Sequence, residues 1–218
     1  MDETFYRSRH IVREKQQPFV RGQSSGLLFI AAKEAAKRAR KMTGTLGEQY
    51  EAMVAVVLCA IVAEASINEI GEWFEYHHVR PPFSIPHGLP YGFDGMELRL
   101  KWSLMPMIVR QKTFDRGAEP WQSFHALVEL RNAIVHLRPQ SSFPRAVAGI
   151  LEAKKLVDDQ HRLGFEVARW SCETMANMFA KLTELVAPPQ EWINLIWLWT
   201  PSHSFPHGLS TPGDPFKD

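Results

Sequence analysis

Thr45-Leu46-Gly47-Glu48, followed by Ala52-Met53-Val54-Ala55-Val56-Val57-Leu58-Cys59-Ala60-Ile61-Val62-Ala63, is the stretch whose reading decides the fold. Its first four residues have the Ser/Thr-x-x-Glu form of a capping box, in which a hydroxyl and a carboxylate accept bonds from the unpaired N–H groups of a helix start. The run behind it is apolar on every side, as a helix surrounded by other elements must be. It predicts a central, buried helix from about Gly47 to Tyr76. Beyond Ala63 the helix acquires one polar stripe: Glu64, Asn68 and Glu72 follow at i, i+4 spacing and share a face. The unbroken run from Ala52 to Ala63 is shorter than the roughly 20 residues a bilayer requires, so no membrane association is expected.

Upstream, residues 27–42 are rich in Ala, Lys and Arg and read as a helix. Lys33, Lys37, Arg40 and Lys41 give it a basic face, which suits either a solvated surface or contact with RNA phosphates. Residues 1–26 form a polar N-terminal arm. Downstream, residues 77–95 form a long loop with Pro81, Pro82, Pro86 and Pro90. It carries His77, His78 and His87, but no cysteine or spaced carboxylate accompanies them, so they read as surface histidines and no metal site is expected.

A helix from Met96 to Arg110, kinked or interrupted near Pro106, leads to a turn at Thr113–Gly117. Pro120 suits the first position of the next helix, which runs to His136 or Leu137. Residues 146–158 and 163–186 are two further helices, the second with Phe165, Ala168, Cys172, Met175, Phe179 and Leu182 along one face. Residues 188–218 form a Pro/Trp-rich C-terminal tail, whose Trp192, Trp197 and Trp199 suit either a partner or their own domain. No alternating strand pattern and no internal repeat occurs. The chain therefore reads as all-α: a helical bundle over residues 27–187 flanked by an arm and a tail.

Lys and Arg total 25 against 24 for Asp and Glu, a formal net charge of +1, so any nucleic-acid binding must come from local patches. Cys59 and Cys172 sit in apolar helical stretches without a CxxC partner and read as buried, reduced thiols. The acidic, polar start Met1-Asp2-Glu3-Thr4 is unlike a signal peptide, and a cytoplasmic location is expected. Neither GxxxxGK[ST] nor GxGxxG occurs, so nucleotide hydrolysis and a bound cofactor are not expected.

The helix before Pro139 carries the chemistry. On a wheel at about 100° per residue, Phe124, Leu127, Leu130, Ile134 and Val135 form an apolar arc, while His125, Glu129, Asn132 and His136 gather opposite. Arg131 is anomalous, because its Cα falls inside the apolar arc, where a guanidinium needs a carboxylate or a route to water. Glu64 on the central helix is the first candidate for that carboxylate. His136 lies one turn after Asn132 and in the last turn of the helix, where the macrodipole favours an imidazolium.

Arg131-Asn132-Ala133-Ile134-Val135-His136, with four residues between Arg and His, resembles the signature of the HEPN domain, the all-α family named for higher eukaryote and prokaryote nucleotide-binding proteins. The apolar helix ending Ala63-Glu64-Ala65-Ser66-Ile67-Asn68-Glu69 resembles that family's earlier helix, which brings polar residues such as Glu64 and Asn68 toward the site. The stretch from Lys101-Trp102 through Phe114-Asp115 to Trp121-Gln122-Ser123-Phe124 is also similar, and the likeness covers about residues 27–186.

The resemblance implies an antiparallel bundle and metal-independent RNA cleavage of the toxin or defence type, with a homodimer and an antitoxin or other protein as partners. It assigns proton transfer to His136, stabilisation of phosphoryl charge to Arg131, and orientation of His136 or phosphate binding to Asn132. Arg131 and His136 point about 140° apart on a regular helix, so one copy does not readily aim both at one phosphate. Two antiparallel copies combine the Asn132 and His136 faces in one groove more simply. The same family includes non-catalytic members, so a helical interaction or nucleotide- or RNA-binding module is the alternative.

Overall fold

The computed structural model describes residues 24–76, 95–136, 149 and 163–187. Among these residues the fold is all-α, five helices packed together with no strand: α1 (Ser24–Lys41), α2 (Leu46–Tyr76), α3 (Leu98–Arg110), α4 (Trp121–Val135) and α5 (Phe165–Val186). The arm up to residue 23, the Pro-rich loop with its three histidines, the body of the helix expected over 146–158 and the Trp-rich tail lie outside the described residues.

The capping box forms, with one change of partner. Thr45 Oγ1 accepts from Glu48 N at 3.3 Å, but the Glu48 carboxylate reaches back one residue further, to Gly44 N at 2.6 Å. Its other oxygen accepts from Phe165 N at 2.8 Å, so Glu48 also caps the first turn of α5. A carboxylate at a helix N-terminus meets both the unpaired donors and the positive end of the dipole. Gly164 is needed for this approach, since a Cβ there would stand 2.7 Å from Glu48 Oε1. At the other end of α5, Arg110 donates to Val186 O at 2.9 Å and to Ala187 O at 3.0 Å, two of the carbonyls a helix leaves unpaired. Glu69 plays the acidic role for α1, accepting from Ser25 N at 3.1 Å and from the Ser25 hydroxyl. Helix α1 thus begins three residues before the boundary expected from the sequence.

The core is the meeting of the five apolar faces. Helices α1, α3 and α4 each pack on both α2 and α5. Cys59, Val62, Ala63 and Ile67 of α2 are fully buried, as the apolar run implies. By length and composition Leu46–Gly71 is nonetheless apolar enough to cross a membrane, since its few acids do not interrupt it enough; half of its most apolar stretch is buried inside the protein, as in a core helix. Trp102 of α3 is the centre of an aromatic cluster, its ring 5.4 Å from Phe124, 5.8 Å from Phe179 and 6.3 Å from Phe114. Its Nε1–H is not left unpaired by burial but donates to Ala63 O at 3.1 Å.

Pro106 does not interrupt α3, which runs on to Arg110 and stops at Gln111 in the left-handed region, with φ 57°. Asp115 closes the following turn by accepting from Gly117 N at 2.8 Å. Pro120 is the N-cap of α4 rather than its first helical residue. The cysteines are fully buried thiols, and the fold brings their sulfurs to 3.7 Å, which their separation in sequence does not announce. Burial pushes the Cys59 thiol well above its usual range, because a thiolate there would lose its hydration.

Candidate active site

Helix α4 is held on nearly all sides. Trp121, Phe124, Ala126, Leu127, Val128, Leu130 and Ala133 are buried, and together they surround most of its circumference. One open sector remains: Gln122 and His136 are exposed, and His125, Glu129 and Asn132 between them are half-buried. The apolar arc expected from the wheel does not extend to the helix end, because Val135 is 52% exposed. In the last turn of α4, Ala133 stays buried and Ile134 packs on the core, but the side of Val135 is open, and this is what leaves Arg131 a route to water.

Arg131 is anchored on the open side of that turn. Its Nη2 lies 3.6 Å from Glu64 Oε2 on α2, the carboxylate that the helical spacing offered, and Nη1 donates to Asn132 Oδ1 at 2.9 Å. With the Asn132 carbonyl so engaged, its amide NH2 is the group left to meet a substrate or a partner. His136 is the C-cap of α4; its backbone N–H donates to Asn132 O at 3.1 Å, and its ring is at the surface. Glu64, Arg131, Asn132 and His136 therefore surround the C-terminal end of one helix, where a cation is favoured by the carbonyl dipoles.

Asn68, the other residue of the α2 stripe, is engaged differently. Its Oδ1 accepts from Lys101 Nζ at 2.7 Å, and Lys101 is only 1% exposed. The buried lysine escapes the sequence reading because Lys is ordinarily a surface residue. Arg99 escapes it as well. This residue donates through Nε to Glu97, and its Nη1 lies 3.0 Å from Glu129 Oε1 and 2.7 Å from His125 Nε2. A guanidinium only donates, so His125 accepts at Nε2 and carries its proton on Nδ1. The upper half of the α4 stripe is thus backed by an arginine from another helix.

The basic face of α1 is separate from this site. Ser25 meets Glu69 and Arg38 meets Glu51 at 2.9 Å, so α1 runs against α2 in the opposite direction. Arg40 and Lys41 therefore lie near the Glu51 end of α2, about 20 Å along it from Glu64 at 1.5 Å per residue. Lys37 is paired with Glu34 at 3.1 Å, and the Arg40 guanidinium sits 5.8 Å from the centre of the Phe165 ring. Lys33 is half-buried, and burial together with the neighbouring Lys37 lowers its pKa. Among the described residues no group of three or more His, Cys, Asp or Glu stands close enough to hold a metal. No family model matches the sequence, and no curated protein or solved structure matches it either.

Proposed function

We propose that the chain is a HEPN-like antiparallel helical bundle that cleaves RNA without a metal, using His136 and Asn132 at a site composed from two copies. The observation that carries this reading is the exposed His136 capping α4 one turn beyond Asn132, with Arg131 anchored alongside by Glu64. In the reaction a ribose 2′-hydroxyl loses its proton and its oxygen attacks the adjacent phosphorus. The bond from phosphorus to the 5′-oxygen breaks, and that oxygen takes up a proton. The products are a 2′,3′-cyclic phosphate and a 5′-hydroxyl.

His136 moves one of these protons, a contribution of about 10²–10⁴-fold. Arg131 places positive charge at the rim of the site, where it stabilises the phosphoryl group in the transition state. Asn132 offers its amide to a phosphate oxygen. The basic face of α1 serves, on this reading, as a distant contact for the RNA backbone. The setting is cytoplasmic, and the biological role is that of a toxin or defence nuclease.

The test is incubation of the purified protein with varied RNAs in chelator, comparing wild type with His136→Ala and Arg131→Ala. Cleavage to cyclic-phosphate ends that is lost with His136→Ala is the expected result. No cleavage by the wild type on any RNA sinks the proposal, and cleavage surviving both substitutions moves the site elsewhere. Exposed Val135 beside Arg131 favours a second reading, a non-catalytic module that docks a protein or binds RNA through the same helix end. It predicts binding without product.

A further inference from the structure

The turn between α1 and α2 is the most open part of the described chain. Residues 40–46 are all exposed, the longest such run among the described residues. Large apolar side chains lie there: Leu46 is 83% exposed, Tyr50 one turn further along α2 is 64% exposed, and Met42 is 41% exposed. Leu46 and Tyr50 stand at i, i+4 and share a face of α2. Met42 bends over Gly47, where an added Cβ would stand 2.7 Å from its sulfur, and so joins them. Apolar residues scattered singly over a surface are ordinary, but three gathered at one tip need a reason.

Charge says what the tip faces. Glu48 is the only acid between residues 40 and 50, and its carboxylate is turned onto Gly44 N and Phe165 N. Arg38, at the edge of the turn, is matched by Glu51. Arg40 and Lys41 form no ion pair among the described residues; the Arg40 guanidinium rests over the Phe165 ring. Two cations therefore border an apolar cluster with no anion of their own beside them.

We infer that this tip docks on an anionic lipid surface, with Met42, Leu46 and Tyr50 entering the interface and Arg40 and Lys41 at the level of the headgroups. Shape favours lipid over a peptide, because a run of exposed residues at a helix-hairpin turn is a convex end without a groove, and a bilayer yields around it. Composition favours lipid over RNA, which can use the cations and the Tyr50 ring but not the side chains of Leu46 and Met42. Tyrosine suits a membrane interface, where its ring is in apolar surroundings and its hydroxyl in water. Burial of apolar side chains and attraction of basic ones to anionic lipid add together in such contacts. The association is peripheral: the body of α2 stays in the protein core, and only its first residues and the turn before them touch lipid.

The tip is one end of the antiparallel pair α1–α2, and Glu64 lies about 27 Å along α2 from Leu46 at 1.5 Å per residue. Docking therefore leaves Arg131 and His136 clear of the lipid. Lipid binding and RNA cleavage are separable, and the loss of either leaves the other standing. Leu27, 63% exposed at the start of α1, lies at the opposite end of the pair and is the internal control for a merely adhesive surface.

Flotation of the full-length protein with vesicles tests the contact. Vesicles of phosphatidylcholine with phosphatidylserine should carry the protein, and vesicles of phosphatidylcholine alone should not. Binding should fall as salt is raised to about 1 M, where the screening length is about 3 Å. Arg40→Gln with Lys41→Gln should weaken binding about 30-fold, at about fivefold for each cation. Leu46→Asp should weaken it at least about tenfold, and Leu27→Asp should leave it unchanged. A polarity-sensitive dye on a Thr43→Cys chain should shift to the blue on anionic vesicles, and the same dye on Leu27→Cys should not; Cys59 and Cys172 are buried and stay unlabelled. No flotation with anionic vesicles, equal flotation with neutral ones, or an equal loss with Leu27→Asp overturns the proposal. So does RNA that strips the wild type from vesicles and whose own binding falls as far with Leu46→Asp, since the tip is then an RNA site.

Discussion

Arg131 has two possible employments, and a double-mutant cycle with Glu64 separates them. The two charges are 3.6 Å apart, and the side chains are 27% and 48% exposed. At that distance Coulomb's law gives about 1 kcal/mol in water and about 4–5 kcal/mol at an effective dielectric of 20. With nearly half of Glu64 in solvent, the lower end applies, and the ordering of two long side chains reduces it further. A coupling energy of about 0.5 kcal/mol is expected, as for exposed ion pairs in general.

Urea unfolding of wild type, Glu64→Gln, Arg131→Met and the double variant measures it, with the m-values checked for constancy. On the proposed nuclease reading, the Glu64→Gln protein should then retain RNA cleavage to within about threefold, because 0.5 kcal/mol corresponds to little more than a factor of two. Arg131→Met should lose far more, since its guanidinium is the charge at the rim. A coupling above about 2 kcal/mol refutes the reasoning. It would place Arg131 among buried ion pairs, whose disruption costs about 3–5 kcal/mol, and make any lost activity a consequence of lost structure.

Gly164→Ala should destabilise the fold by about 0.5–1.5 kcal/mol in urea, because the added Cβ displaces the Glu48 carboxylate from the half-buried start of α5; in a Glu48→Ala background the same change should cost much less. Trp102→Ala should cost about 3–5 kcal/mol, as it empties the centre of the aromatic cluster and removes the indole bond to Ala63 O. The folded protein should resist thiol reagents, with two thiols titrating only in denaturant. Stability should also fall at alkaline pH. The folded Cys59 pKa is raised, so its contribution is complete below the unfolded thiol pKa of about 8.5 and declines above it, by at most about 1.4 kcal/mol per pH unit, until the folded group ionises. Cys59→Ser, compared by unfolding at pH 7 and pH 10, should lose that slope.

What was legible in the sequence and what was not follow one division. Periodicity along a helix states which residues share a face, and it located the buried body of α2, the capping box and the Asn132–His136 face. It even supplied a partner for Arg131, because a guanidinium in an apolar arc needs a carboxylate and the central helix offers Glu64 in its polar stripe. Periodicity does not state what stands opposite a face. Arg99 reads as an ordinary α3 residue until α3 is laid over α4, and only then does it meet His125 and Glu129. Lys101 and Asn68, and Cys59 and Cys172, are joined across helices in the same way.

Val135 shows the converse limit, since a wheel treats a helix as equally covered along its length and α4 is not. The chemistry of the site depends on that unevenness. Were the last turn of α4 covered like the rest, Arg131 would be a buried charge and His136 a core histidine, each needing satisfaction from within. Because the turn is open on the side of Val135, Arg131 keeps access to water while Glu64 and Asn132 hold it. The imidazole of His136 stays at the surface, and among the described residues its hydrogen bond is made through the backbone.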